Sequence, residues 1–94
     1  MNVEHQFEAR RRSVFREVMQ IETMIRGMKE SAAALQSDVV AEEKRVGICD
    51  RQNADYPILA RVLTVRHENL KTTIATLEHR VRTLRQFFPA HDAA

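Results

Sequence analysis

Cysteine, tryptophan, glycine and proline are almost missing from this sequence, and each scarcity removes a class of architecture. The single cysteine, Cys49, leaves no intramolecular disulfide and no multi-cysteine metal site, a pattern that fits a reducing compartment. Two glycines and two prolines in 94 residues fall far below their usual shares of about 7% and about 5%. Too little turn chemistry therefore remains for the many loops of a sandwich, a barrel or an α/β sheet. With no tryptophan, one tyrosine and four phenylalanines, material for a globular core or an aromatic base-stacking platform is short. No run approaches the roughly 18 apolar residues of a membrane span, and charges enter within the first dozen positions, so neither a span nor a secretion signal is expected. The chain reads as soluble and cytoplasmic. Lys plus Arg at 15 against Asp plus Glu at 13 leaves a net charge of +2, a balance that does not by itself select nucleic acid.

What is present is helix-forming. Ala, Glu, Lys, Leu and Arg account for 41 of the 94 residues, near the share of about half that marks long helices and coiled coils. From Phe7 to Val46, apolar positions alternate spacings of four and three without a slip. Val18, Ile25, Ala32, Val39 and Val46 take heptad position a; Phe7, Val14, Ile21, Met28, Leu35 and Glu42 take d. Only Arg11 and Glu42 put charge on this seam. With Asn2 as N-cap and Gly47 as the glycine after the last turn, the spacing predicts a first helix over about 3–46.

The stretch 47–56 is the only internal cluster of breakers, and Pro57 suits the first turn of a second helix, with Asp55 or Tyr56 as its cap. That helix is expected over about 57–88, ended by Pro89. Its seam runs Ala60, Leu63, His67, Leu70, Ile74, Leu77, Val81, Leu84 and Phe88. Two such seams joined by so short a connection should fold back on one another, because each stripe needs a partner and the nearest lies in the same chain. The register follows from a constant sum of residue numbers. Val46 with Tyr56, Val39 with Leu63, Ala32 with Leu70, Ile25 with Leu77 and Val18 with Leu84 each sum to 102, as do Met28 with Ile74, Ile21 with Val81 and Val14 with Phe88. The same register sets His67 against Leu35 and Glu42 against Ala60. The fold class is thus all-α, a single domain over 1–94 formed by an antiparallel two-helix coiled-coil hairpin.

Chemistry-bearing residues are sparse. His5, His67, His79 and His91 show neither i,i+3 nor i,i+4 pairing, so no metal or cofactor is expected; His67 on the seam reads as a polar layer or a pH-sensitive joint. Glu8, Glu42 and Glu43 have no pocket in which to work as paired carboxylates, and Cys49 has no histidine beside it. Catalysis is not expected. Charge placement is more informative. Arg10, Arg11, Arg12 and Arg16 near the start of the first helix meet Arg80, Arg82 and Arg85 near the end of the second, so seven of the 15 basic residues gather at the open end. This is either a solvated face, a docking surface for an acidic protein channel, or a nucleic-acid contact. Away from the seam, Ile58, Val62 and Val65 at i, i+4 and i+7 form a stripe beside Leu59. It reads as a covered flank or as a contact for a second copy or another protein.

Ala41-Glu42-Glu43-Lys44-Arg45-Val46-Gly47-Ile48, then Asp50, Tyr56-Pro57 and Arg66-His67-Glu68-Asn69-Leu70, resembles the turn region of the flagellar export protein FliJ family. Glu8 to Arg12 and Gln20 to Ile25 fit the same pattern. Glu68 stands where that family has aspartate, and Cys49 where serine is usual. The resemblance implies a coiled-coil stalk of the type III export ATPase, similar to the central shaft of rotary ATPases. Its implied partners are the export ATPase, the export gate protein and chaperones of late substrates, and its implied place is the cytoplasmic face of the export apparatus at the inner membrane. A dimerising coiled-coil scaffold and a small basic nucleic-acid-binding hairpin are the alternatives.

Overall fold

A computed structural model of the chain describes residues 3–88. Asn2 as N-cap, Pro89 as terminator and His91 lie outside the described residues. Helix α1 spans Val3–Val46 and helix α2 spans Ile58–Phe87, within a residue of the spans that the heptads predict. They run side by side as a thin rod with extents of 68 × 18 × 18 Å. No helix among the described residues is long and apolar enough to cross a membrane.

The core is the seam. Val18, Ile21, Ile25, Ala32, Ile74 and Val81 are buried in one cluster, with Val14, Met28, Leu70, Leu77 and Leu84 packed against it. A second, smaller cluster near the connection joins Val39, Tyr56 and Ala60, with Ile48 and Leu63 against them. Every member of the first cluster is a seam residue of the expected register. The ion pairs read that register independently. Glu17 and Arg80 both occupy position g, whereas Glu22 with Arg85 (2.7 Å) and Lys29 with Glu78 (3.3 Å) join positions e to e. Pairs of like letters flank an antiparallel a-to-d seam on its two sides, so all three are satisfied by the same alignment. Such exposed pairs are worth about 0.2–1 kcal/mol each. The apolar layers therefore set the register and the ion pairs follow it.

Threonine disfavours helix interiors, yet α2 carries five whose hydroxyls are satisfied within the helix. Thr64, Thr72, Thr73, Thr76 and Thr83 each donate to the carbonyl four residues earlier, at 2.7–3.1 Å.

Both ends of the seam depart from the simple pairing. Val46, the expected partner of Tyr56, stays exposed, while Tyr56 turns onto Val39 and Ala60. With the ring seated there, Val46 at the last position of α1 has no facing side chain to cover it. Pro57, with extended backbone (φ −61°, ψ 131°), takes the N-cap position of α2 and supplies no side-chain bond, in place of the expected cap at Asp55 or Tyr56. At the other end Phe88 leaves helical geometry (φ −137°, ψ 72°). It shares a groove with Val14, but its ring also meets Phe7 one heptad further out, with centroids 6.4 Å apart.

Because a hairpin buries only one stripe per helix, its stability concentrates in few residues. Ile74→Ala should cost about 2–5 kcal/mol, whereas the exposed Ala75→Ser should stay within about 0.5 kcal/mol of the parent. Urea unfolding followed by helical circular dichroism checks the contrast; equal costs at the two positions would show that the seam does not pack as described.

Candidate functional site

At the closed end the connection is held by polar contacts. Gly47 adopts φ +83°, and its N–H donates to the Glu43 carbonyl at 2.7 Å, ending α1 with a left-handed cap that L side chains rarely adopt. Two side-chain turns follow. The Asp50 carboxylate accepts from the Gln52 N–H (2.9 Å), and the Asn53 side-chain oxygen accepts from the Asp55 N–H (2.8 Å). Arg61 reaches back from α2 to donate to the Arg51 carbonyl at 2.9 Å and the Asn53 carbonyl at 3.3 Å, with its guanidinium 5.1 Å from the Tyr56 ring centre. Tyr56 itself is buried and donates its hydroxyl to Glu43 Oε2 at 2.8 Å. Ala60, fully buried beside it, is small enough to admit the ring. Glu42 on the seam is clasped by Arg45 at 2.5 and 3.1 Å, a bond that lowers the Glu42 pKa below its usual value and raises that of Arg45. Several residues that carry the family resemblance, namely Glu43, Gly47, Asp50, Tyr56 and Pro57, thus build this turn.

On the connection side of the rod's centre His67 is partly buried, with Nδ1 3.7 Å from Glu68 Oε1. Gln36, Val39, Arg51, Thr64 and Lys71 line the shallow surface beside it. Among the described residues no group of three or more His, Cys, Asp or Glu side chains is arranged to hold a metal ion. Cys49 is exposed.

At the open end the seven arginines do not form one face. Arg80 is drawn to Glu17 on one flank, where position g also places Arg10. Arg85, which pairs with Glu22, lies on the other flank, as do Arg12, Arg16 and Arg82. Arg11, on the seam, stacks over the Phe7 ring at 5.1 Å. The sequence reading placed these residues at the right end of the rod but overlooked the acidic partners Glu17 and Glu22, which hold two of the three α2 arginines at that end. It also overlooked an apolar groove of about 390 Å³, lined by Val14, Phe15, Val18, Met19 and Phe88. Phe15 and Met19, about half exposed, stand four residues apart beside the seam, and that spacing among arginines was the available signal. The other predicted patch is open to solvent: Ile58, Val62 and Val65 are 79%, 42% and 59% exposed, with Leu59 exposed beside them.

Comparison of the chain with protein-family models, curated proteins and solved structures returns no match.

Tyr56 reports on the closed end. Burial first, then the bond to Glu43 and that carboxylate's charge, raise its pKa above the ordinary phenol value, with Arg51 opposing. A raised folded-state pKa contributes stability that is complete below the unfolded value of about 10 and is lost as pH climbs through the folded value. As this is the only tyrosine and there is no tryptophan, the tyrosinate absorbance band titrates one group. Its midpoint should lie above that of the unfolded chain, and Glu43→Gln should lower it; coincident midpoints for parent and variant would remove the role given to Glu43.

Proposed function

We propose that this chain is a non-enzymatic coiled-coil stalk or adaptor of a flagellar type III export ATPase. In this reading it couples the ATPase to the export gate protein and to chaperones, at the cytoplasmic side of the export apparatus. The observation that carries the reading is a thin 68 Å rod with two unlike ends. One end is closed by a turn built from the residues that resemble the FliJ family, and the other presents exposed arginines from both helices. Arginine forks onto carboxylates without losing its charge. Chemistry would belong to the ATPase, and this chain would supply position and electrostatic capture.

The test targets the two flanks of the open end together. Arg10→Glu with Arg12→Glu should preserve helix content and melting, since both side chains are exposed. Binding to a purified export ATPase should weaken by about tenfold or more, mainly through the association rate, and the loss should shrink at high salt. Unchanged ATPase binding together with lost DNA binding would transfer the open end to the nucleic-acid alternative. If the parent binds neither, the scaffold remains.

The scaffold reading has its own observation, the exposed Ile58, Val62 and Val65 stripe. A second copy seated there would make a four-helix contact near the turn. Val62→Lys with Val65→Lys should then shift sedimentation toward monomer at high protein concentration; identical sedimentation would show that this stripe is not an interface.

A further inference from the structure

We infer that the groove on one flank of the open end is a docking site for an acidic amphipathic helix of a partner protein. The groove follows the edge where α1 and α2 meet, with Val14 and Val18 at its base, Phe15 and Met19 along the α1 wall and Phe88 at the α2 side. Its volume of about 390 Å³ accommodates several aliphatic side chains presented at i, i+3, i+4 and i+7, the pattern by which helices dock into grooves. A third helix laid there would extend the two-helix seam into a three-helix bundle at the open end.

Charge selects the partner's chemistry. Arg11, Arg12 and Arg16 rim the groove, and Arg12 and Arg16 make no ion pair with a described residue. The one carboxylate in the lining, Glu22, is already held by Arg85 at 2.7 Å. A docked helix with Glu or Asp beside its apolar stripe therefore meets guanidinium groups that have no competing acid. A second copy of this chain is a poor fit. Its exposed apolar stripe at Ile58, Val62 and Val65 carries Arg61 and Arg66 beside it, and docking would bring arginine against arginine. The concave floor also distinguishes the site from a flat contact with an anionic membrane, where Phe15 and Met19 would have to project outward.

This site is read from the groove alone and holds whether or not the chain serves an export ATPase. Arg10 separates the two ideas, because it lies on the opposite flank and lines no part of the groove. The probe is a labelled synthetic peptide of about 18 residues, five turns of helix, with leucine at i, i+3, i+4 and i+7 and glutamate and alanine elsewhere. Fluorescence anisotropy with the full chain should show binding that weakens with salt. A peptide with lysine replacing glutamate, and one with the same composition in scrambled order, should bind at least about tenfold less tightly. Phe15→Gln with Met19→Gln should reduce binding of the acidic peptide by about tenfold or more. Arg12→Gln with Arg16→Gln should weaken it and flatten its salt dependence, whereas Arg10→Gln should leave it unchanged. Circular dichroism melting of each variant should match the parent, since all these side chains are exposed. The inference fails if the acidic peptide does not bind the parent, if the lysine peptide binds as well, or if the Phe15 and Met19 variant binds undiminished. Binding of phosphatidylglycerol vesicles that is lost in that variant, with no peptide binding to the parent, would reassign the surface to an anionic membrane.

Discussion

Each helix of this molecule can bury only the stripe that faces the other, and that geometric limit governs the rest. Two helices in contact share one line of side chains, so the core is a single file of layers from Val14 and Leu84 to Val39 and Ala60. Every layer has to fall opposite its partner, because nothing behind it would bury a misplaced residue. An unbroken sequence of threes and fours satisfies this over the whole rod. The outward-facing surface is left to water or to other proteins, which is why exposed apolar residues such as Phe15, Met19 and Ile58 bear on function here more than they would on a larger globular domain.

The two ends resolve the limit differently. At the closed end the chain reverses, and polar groups do what layers cannot: Asp50, Asn53 and Arg61 bind backbone, and Tyr56 fills the last layer while its hydroxyl finds Glu43. A buried phenol is tolerated because its one donor is satisfied. Among the described residues no reversal closes the open end. Its last layer is finished by aromatic rings, Phe7 against Phe88, with Arg11 over the first of them, and beside it the seam widens into a groove. Polar contacts to backbone thus close one end, and an apolar groove opens beside the other.

How much of this the sequence discloses depends on how local the cause is. The helix spans and the register were legible because seam residues such as Ile25, Ile74 and Val81 repeat at fixed spacing, and one sum accounts for all of them. Glycine at position 47 announced the end of α1 for an equally local reason, its freedom to take φ +83°. The terminal layers were not legible. Whether Val46 or Tyr56 fills the last layer depends on where the turn sends the ring, and the pairing of Glu17 with Arg80 depends on a contact between residues far apart in the chain. The cluster of seven arginines was correctly located along the rod but not around it, because flank is set by heptad letter: g for Arg10 and Arg80, b or e for Arg12, Arg82 and Arg85. Phe15 and Met19 were passed over since two apolar residues among charges make no visible stripe until the facing helix supplies Phe88 and closes the groove.

The interhelical ion pairs add a division of labour between the helices. Glu17 and Glu22 of α1 take up Arg80 and Arg85 of α2, so much of the positive charge of α2 at the open end is compensated within the hairpin. Arg12 and Arg16 on α1 have no such partner among the described residues. The charge left for an acidic partner is therefore carried chiefly by α1, in the same turns that present Phe15 and Met19. In the proposed docking, a partner attracted by charge at a distance would arrive at the side of the rod where apolar surface is exposed, so the electrostatic step that sets the association rate and the apolar step that slows release would act on one helix face.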